Sequence, residues 1–437
     1  MKDLIEEAKT IFLQTLRGID LEPTFRRKIR RNGNNLQVGD AAITLSDYQR
    51  IVLIGLGKAS QQMGFLVEQL LEDRLEQGIL VTNHRSNLKV KSDVIVASHP
   101  VPDRNSFEAG RRIIDLINSC DSKTFIVFVI SGGGSSLVES PIFDEIPLED
   151  FQQLNQILIG CGATIQEINV IRKFLSLTKG GRLGNLAKKS KCLGLFLSDV
   201  NYGDLQAIAS NPLLPDNATL EEFYQIIEKY DLLNHLPHLL AKLISERKVP
   251  PLPISWQSND CKQINLLLLE NRGAIALAAE KAKSLGFEVG IELDLVEGDY
   301  REIADTLIRR LSNNLSTVQR SKICLISGGE VSCLVKGKGL GGRNQEFVLY
   351  CAAELARSGV ESFAILACGT DGIDGNSTAD GAVADAFGIR LVEGAGVKGE
   401  LYFQENDTHS FFREFGGLLT TGPTGTNVRD VRILLAR

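Results

Sequence analysis

The sequence predicts an α/β protein of two domains, the first of them built on a mostly parallel sheet flanked by helices. Short apolar runs recur along the chain at residues 50–54, 125–130, 193–197, 323–326 and 363–367. Most of these runs are apolar at every position, which is typical of parallel strands covered by helices on both faces. Helix-like segments separate several of them, and strands that alternate with helices indicate βαβ units.

The division between the domains is predicted from a proline-rich segment, Val249–Pro253. Prolines exclude this segment from a helix interior and stiffen the chain. Beyond it, the residue pattern predicts a long helix from about Cys261 to Ser284, with Gly286 as its C-cap. We therefore predict an N-terminal domain over residues 1–255 and a smaller C-terminal α/β domain over residues 256–437.

Composition and charge narrow the class of protein. The formal net charge is −6 over 437 residues, which argues against a nucleic-acid partner because an acidic surface repels phosphate groups. The eight cysteines form no CxxC pair, so we expect free thiols in a reducing compartment. No stretch approaches the roughly 20 apolar residues of a membrane span, and residues 1–10 do not resemble a targeting segment. We expect a cytoplasmic protein without a membrane partner, either monomer or homodimer.

Small and polar residues follow five of the apolar runs. They are found in Gly55–Lys58, Ser131–Ser136, Ser198–Asp199, Ser327–Glu330 and Gly369–Gly372. Ligands bind beyond the carboxyl ends of the strands in open parallel sheets. Glycine alone could simply make each turn, but five such junctions with charged and hydroxyl groups favour a shared site.

The first junction, Gly55–Ser60, matches no standard nucleotide-binding template. Val52 stands where a Walker A loop needs its first glycine, and Ala59 replaces the Ser or Thr that would hold Mg²⁺. The dinucleotide fingerprint also fails, because its third glycine is Ser60. What remains is Lys58 at a strand-to-helix turn, where it could meet a carboxylate or phosphate, or simply be a solvated surface lysine.

The strongest local signal is the loop of Ser131, Gly132, Gly133, Gly134, Ser135 and Ser136. Three glycines allow backbone N–H groups to turn toward an anion, and the serines add hydroxyl donors. A serine-hydrolase GxSxG pattern fails at Leu137 and Val138. We predict a phosphate cradle in preference to a plain flexible turn.

Three further segments carry charge. Residues 169–182 gather several Arg and Lys side chains, which form either an anion-binding patch or a solvated helix face. Glycines at 337–342 precede Arg343, whose guanidinium can grip a carboxylate or phosphate with two parallel hydrogen bonds. Asp371 and Asp374 follow a predicted strand, which suits Mg²⁺ ligation or a general base, or else an Asp-Gly turn pair. Glycine loops, cations and carboxylates together favour phosphoryl transfer.

In their order along the chain, the motifs resemble those of the glycerate 2-kinase family, whose C-terminal half is the MOFRL domain. The matching segments span about residues 50 to 430 and are Gly55–Ser60, His99–Asp103, Ser131–Ser136, Arg172–Lys173, Lys179–Gly181, Leu197–Val200, Ser327–Glu330, Gly341–Glu346, Gly369–Gly375 and Thr421–Asn427.

This resemblance implies ATP- and Mg²⁺-dependent phosphorylation of D-glycerate at its 2-hydroxyl, giving 2-phosphoglycerate. It also implies a Rossmann-like N-terminal domain, with the active site in a cleft between the two domains. Lys58 and Arg343 are expected to be essential, and Asp199 or Asp371 to bind Mg²⁺ or orient the attacking hydroxyl. The remaining expected contacts to substrate, phosphate or metal are Lys173, Lys179, Glu330, Asn344 and Asp374.

The chain departs from the family pattern in one region. The Gly-Asp pair in Asn201–Asp204 stands one position late, and Asn211–Leu213 replaces the usual Gly-Pro-Thr. Phe174 also stands where the family commonly has histidine. If this loop binds nucleotide or Mg²⁺, the phosphoryl donor or the rate would differ from those of the family. The hypothesis that the chain is a less active paralogue therefore stays open.

Two rival functions are weighed against the kinase. Some members of the family carry a hydroxypyruvate reductase label, but the missing dinucleotide fingerprint argues against NAD(P)H chemistry. A non-catalytic module that binds sugar phosphates would keep the glycine loops but has no use for Lys58, Arg343 and Asp371 together.

Overall fold

The computed structural model describes residues 3–198, 205–253, 263–294, 297–317, 322–397 and 399–437. These residues form two compact units. The N-terminal unit comprises described residues within 22–198 and 205–268, and the C-terminal unit those within 3–21 and 269–437. The predicted boundary at 255/256 lies outside the described residues and stays a prediction.

The described residues form both helices and strands. The helices are α1 (Leu4–Gly18), α2 (Leu21–Lys28), α3 (Ser60–Leu71), α4 (Arg104–Asn118), α5 (Gly134–Leu137), α6 (Leu148–Gly160), α7 (Ile165–Phe174), α8 (Arg182–Leu186), α9 (Leu220–Lys229), α10 (His238–Ser245), α11 (Asn271–Ser284), α12 (Tyr300–Thr317), α13 (Arg343–Arg357), α14 (Ala386–Gly394), α15 (Gly399–Glu405) and α16 (Thr408–Phe415). The strands are β1 (Ile29–Asn32), β2 (Asn35–Val38), β3 (Ala41–Thr44), β4 (Arg50–Leu56), β5 (Gln77–Thr82), β6 (Asp93–Val96), β7 (Thr124–Ile130), β8 (Lys191–Leu197), β9 (Gln263–Leu269), β10 (Phe287–Glu292), β11 (Glu297–Asp299), β12 (Lys322–Ser332), β13 (Phe363–Gly369), β14 (Gly381–Asp385), β15 (Leu418–Leu419) and β16 (Asp430–Ala436).

The N-terminal unit is organised around a six-stranded sheet in the order β6-β5-β4-β7-β8-β9. Its β4–β5, β5–β6, β4–β7 and β7–β8 pairs are all parallel, which confirms the predicted parallel strands at 50–54, 125–130 and 193–197. Counted from β4, the spatial order of the first five strands is 3-2-1-4-5. The direction of winding therefore reverses between β4 and β7, and their carboxyl ends flank a topological switch point.

The C-terminal unit contains a seven-stranded mixed sheet in the order β10-β12-β16-β13-β14-β15, with β11 beside β12. Strand β16 lies antiparallel between β12 and β13. The expectation of parallel strands is confirmed for 323–326 on one side only, where β12 pairs parallel with β10. It is wrong for 363–367, because both neighbours of β13, β14 and β16, are antiparallel to it. Helix α1 also belongs to this unit, where its buried face of Leu4, Ala8, Ile11 and Phe12 packs beside α11, β13 and β16.

The predicted helix from Cys261 to Ser284 is wrong in its first part. Gln263–Leu269 is strand β9, and helix α11 begins only at Asn271. A short apolar run such as 264–269 fits strand and helix alike, since periodicity alone cannot separate them. The end of the helix agrees with the prediction, because Gly286 follows α11 with a φ of +85°.

The described cysteines are all free thiols, and four of them are buried: Cys192, Cys324, Cys351 and Cys368. None of the helices in the described ranges has the length and apolar character needed to cross a membrane.

Candidate active site

The turn between β4 and α3 carries Lys58 at the switch point of the parallel sheet. Gly57 has a φ of +121° in this turn, and a Cβ on it would lie 2.3 Å from Ser131 Oγ. The amide of Lys58 donates to Gly132 O at 2.9 Å, and the amide of Ala59 donates to Ser131 Oγ at 3.0 Å. These bonds tie the turn to the glycine loop after β7, while the Lys58 side chain stays exposed.

The glycine loop packs directly against Lys58. Gly133 has a φ of +81°, and a Cβ on it would lie 3.1 Å from both Lys58 Cγ and His99 Cδ2. Within the described residues, no acceptor is found for the amide N–H groups of Gly132 and Gly133. These two donors are available to an anion beside the Lys58 ammonium, whereas the Ser131 hydroxyl is occupied by the turn.

The second half of the loop is held by a hydroxyl chain. Ser135 Oγ lies 2.8 Å from Ser210 Oγ, and the Ser210 hydroxyl donates to Asn169 Oδ1 at 3.0 Å. The Ser136 hydroxyl turns back onto the loop's own backbone, and buried Gly134 begins the short helix α5. Of the two predicted hydroxyl donors, Ser135 is therefore the one that faces other segments.

In the altered Asn211–Leu213 segment, Asn211 has a positive φ, the backbone conformation that favours glycine. Ala209, Ser210 and Asn211 all have φ between +52° and +58°, a region that non-glycine residues rarely enter. Asparagine tolerates this conformation best after glycine, and the Asn211 amide side chain donates to Asp216 Oδ2 at 2.8 Å. The other altered segment, Asn201–Asp204, lies outside the described residues, as does Asp199.

The two lysines predicted to bind phosphate are both engaged by carboxylates. Lys173 forms an ion pair with Asp216 at 2.7 Å. Lys179 is buried against Glu139, and both side chains are almost fully inaccessible to solvent. Arg172, which lies next to Lys173, keeps its Nε on Asn155 Oδ1 at 3.2 Å and remains partly exposed.

Besides burial, the positive charges of Arg172 and Lys58 both lower the pKa of His99. Burial, followed by the positive charges of Lys58 and Arg172, lowers the pKa of His99 below its ordinary value of 6.5. The imidazole is therefore neutral at neutral pH. From the sequence, His99 stands out only as part of a matching segment, and Arg172 also as one of the positive residues of 169–182; the structure adds both to the surroundings of Lys58.

In the C-terminal unit, Arg343 is the first residue of α13 and forms a bidentate ion pair with Asp430. Its Nε lies 2.6 Å from Asp430 Oδ2, and its Nη2 lies 2.9 Å from Asp430 Oδ1. Glu330 Oε1 is 2.9 Å from Nη1. Burial by itself would lower the pKa of Arg343, but the charges of Asp430, Glu330 and Asp374 outweigh it and raise the pKa.

Asp371 lies at the end of β13 and is only partly buried. Its Oδ1 accepts from the amide of Ile373 at 3.2 Å, and its Oδ2 accepts from Asn427 Nδ2 at 3.3 Å. Burial, followed by the charge of Asp430, raises the pKa of this carboxyl although the Ile373 amide opposes the shift.

Two other predicted site residues face the interior of the unit. Asp374 is fully buried and accepts hydrogen bonds from the backbone of Asn344 and Gln345 and from Gln345 Nε2, all between 2.9 and 3.0 Å. It therefore caps the N-terminus of α13. The Asn344 side chain is also fully buried, and neither of its polar atoms has a partner among the described residues.

The acidic residues differ in how well they suit Mg²⁺. Among the described residues, no group of three or more His, Cys, Asp and Glu side chains is arranged to hold a metal. Magnesium, however, is commonly held by one or two carboxylates together with water and substrate phosphates. Asp371 is accessible enough to supply one such oxygen, whereas Asp374 has both oxygens committed to α13 and does not fit.

Asp374 leads to a testable effect of pH on stability. Burial raises its pKa from 3.8 to about 6. Between these values the folded state holds a proton that the unfolded state has lost, so the free energy of unfolding falls as the pH rises from 4 to 6, by up to about 3 kcal/mol. Urea unfolding at pH 4 to 7 should show this loss in the wild type but not in Asp374→Asn. Parallel pH profiles of the two proteins would contradict it.

Family models match two parts of the chain. The family model described as a domain of unknown function, DUF4147, matches residues 7–245, and the MOFRL family model matches residues 323–430. A Thermotoga maritima protein named D-glycerate 2-kinase is 32% identical over 392 residues, covering 88% of this chain and 90% of its own. The crystal structure of glycerate kinase from T. maritima has a TM-score of 0.85 and 30% identity over 99% of both chains.

A further relative carries a different name. A protein of Agrobacterium vitis with the provisional name hydroxypyruvate reductase is 34% identical over 396 residues, covering 88% of this chain and 87% of its own.

The fold, the lysine and glycine loop at the switch point, and the kinase relatives together define an enzyme of the kinase class. The chain belongs to the glycerate 2-kinase family and carries a MOFRL domain in its C-terminal half.

Proposed function

We propose that this enzyme transfers the terminal phosphoryl group of ATP, as its Mg²⁺ complex, to the 2-hydroxyl of D-glycerate and so forms 2-phosphoglycerate. The observation that carries the proposal is the exposed Lys58 ammonium beside the free amides of Gly132 and Gly133. Phosphoryl transfer depends mainly on positioning and charge neutralisation, and these are the groups that provide both.

The anion-binding groups of the N-terminal unit suit a polyphosphate. Lys58 and Arg172 supply two positive charges, and both act on the same imidazole of His99. The N-terminus of α3 lies directly after Lys58 and adds the positive end of a helix dipole. We assign phosphate binding to Lys58, Arg172 and the glycine loop. Because Lys173 and Lys179 are paired with carboxylates, we assign them no direct contact with phosphate.

The groups of the C-terminal unit suit the acceptor and the metal. The part of the Arg343 guanidinium that does not face Asp430 can bind the carboxylate of D-glycerate. Asp371 would supply one oxygen to Mg²⁺ or accept a hydrogen bond from the attacking hydroxyl. When bound, Mg²⁺ neutralises the charge that develops on the phosphate oxygens.

We further propose that the enzyme works in the cytoplasm on small molecules, without a nucleic-acid or membrane partner. The free thiols of the described cysteines suit a reducing compartment. The net charge of −6 disfavours contact with other polyanions, and a locally positive site can still admit an anionic substrate.

A direct assay tests this function. Purified enzyme with D-glycerate and ATP-Mg²⁺ should release ADP, and ³¹P NMR should identify 2-phosphoglycerate as the product. EDTA should stop the reaction and added Mg²⁺ should restore it, because the free phosphates need charge neutralisation. Oxidation of NADH with hydroxypyruvate instead would favour the reductase suggested by the Agrobacterium relative's name. Binding of phosphorylated sugars without turnover of either substrate pair would favour the non-catalytic module.

A further inference from the structure

We propose that Asp430 is a positioning residue for the reaction, holding the Arg343 guanidinium in the orientation in which it binds the anionic substrate. This inference rests on the role proposed above for Arg343. Asp430 itself is fully buried, so it touches neither solvent nor substrate and can act only through its partner.

Hydrogen bonding divides the guanidinium into an inner and an outer edge. The inner edge, formed by Nε and one N–H of Nη2, faces Asp430 at 2.6 and 2.9 Å. Two parallel hydrogen bonds to one carboxylate fix the plane of a guanidinium as well as its position. The outer edge, formed by Nη1 and the remaining N–H of Nη2, is therefore held in a defined direction.

Glu330 contacts the outer edge of the guanidinium, and its side chain is far more exposed to solvent than that of Asp430. Its carboxylate lies 2.9 Å from Nη1, but 44% of its side chain is exposed, against none of Asp430. An exposed ion pair is weak and readily exchanged, whereas a buried and bidentate one is not. An incoming carboxylate or phosphate can therefore replace Glu330 while Asp430 keeps the guanidinium in place.

The backbone around Asp430 is fixed from several sides. Asp430 begins β16 in the middle of the mixed sheet and pairs with Gly329 of β12 and Gly369 of β13. Glycines on both neighbouring strands leave the space over Asp430 free for another side chain to approach. The Asn271 amide donates to Asp430 O at 3.0 Å and accepts from the amide of Gly329 at 3.0 Å.

The test is a double-mutant cycle between Asp430→Asn and Arg343→Lys. Asparagine keeps the shape of Asp430 but turns an N–H group toward Arg343, so kcat/KM for D-glycerate should fall about 100-fold. Once Arg343 is replaced, no guanidinium remains to be positioned. Asp430→Asn should then change the rate of Arg343→Lys less than about threefold. A matched control is Asp380→Asn, which removes another fully buried carboxylate of the same unit that bonds Thr421 rather than Arg343.

A second readout does not depend on turnover. In ¹⁵N-arginine-labelled protein, Arg343 Nε–H should give a slowly exchanging signal that Asp430→Asn abolishes and Asp380→Asn preserves. Normal kcat/KM in a folded Asp430→Asn protein, or rate losses that multiply in the cycle, would overturn the proposal. If Asp430→Asn alone does not fold, Asp430→Glu, which keeps the charge but shifts the carboxylate by one methylene, takes its place in the cycle with Arg343→Lys. A wild-type enzyme inactive on D-glycerate with an intact Nε–H signal would instead refute the proposed substrate.

Discussion

Replacing Lys58 with alanine should lower kcat/KM for D-glycerate about a thousandfold or more, while the free energy of unfolding changes by less than about 0.5 kcal/mol. The side chain is exposed and its ammonium makes no hydrogen bond or ion pair within the described ranges, so the folded state loses little. The site, by contrast, loses its most accessible positive charge beside the glycine loop. Charge placed in advance where phosphate charge develops is the largest catalytic contribution in phosphoryl transfer.

Steady-state kinetics and urea unfolding on the same preparations check this prediction. Lys189→Ala is a suitable control, because it removes another exposed lysine of the N-terminal unit that follows no strand end and no glycine loop. It should keep kcat/KM within about twofold of the wild type. A Lys58→Ala enzyme with rates near those of the wild type would show that the switch point is not the phosphate site. Equal losses in both variants would point to a general charge effect.

The sequence was sufficient to locate the strand ends that carry the candidate site. The apolar runs at 50–54 and 125–130 correspond to β4 and β7, and the loops after them meet through the amide of Lys58 and Gly132 O. This convergence is predictable because parallel strands present all their carboxyl ends at one edge. Strand order is not predictable in the same way, so the position of these two loops at the switch point emerged only from the structure.

Partners distant in the chain explain what the sequence could not predict. Lys173, Lys179 and Arg172 look alike in the sequence, yet two of them meet the carboxylates of Asp216 and Glu139 and the third does not. Those carboxylates stand some 40 residues away, and no local pattern connects them to the lysines. The cluster of positive residues therefore predicts an anion-binding region, but not which of its members have a carboxylate partner.

Strand β16 and the meander of β1, β2 and β3 escaped prediction for different reasons. Asp430–Ala436 is apolar except for Asp430 and a buried Arg432, and this charge concealed a central strand. The meander of β1, β2 and β3 makes its first turn at Gly33, which has a φ of +58°, and Asn34. A Gly-Asn pair between two short runs is a hairpin signal that the sequence does provide. The first case needed the tertiary structure, while the second was available in the sequence.

Replacing Glu139 with glutamine should destabilise the N-terminal unit by about 3–5 kcal/mol, because it leaves a buried charge without its counter-ion. Lys179 and Glu139 are 1% and 2% exposed. Burial lowers the pKa of Lys179, and the carboxylate of Glu139 opposes that shift. The hydroxyl of Ser176 and the carbonyl of Val138 lie 3.2 and 3.4 Å from Lys179 Nζ, but neither is charged.

The double variant Glu139→Gln with Lys179→Met separates stability from phosphate binding. Removing both charges should restore the free energy of unfolding to within about 1–2 kcal/mol of the wild type, since a buried ion pair barely exceeds its own desolvation cost. Lys229→Met, which breaks the exposed pair with Glu167, should cost less than about 1 kcal/mol. A double variant as unstable as Glu139→Gln would show that the charge itself was not the cause.

Because Lys179 Nζ faces Glu139 inside the unit, the stable double variant should also keep most of its kcat/KM. A selective loss of rate would instead assign Lys179 to the phosphate site.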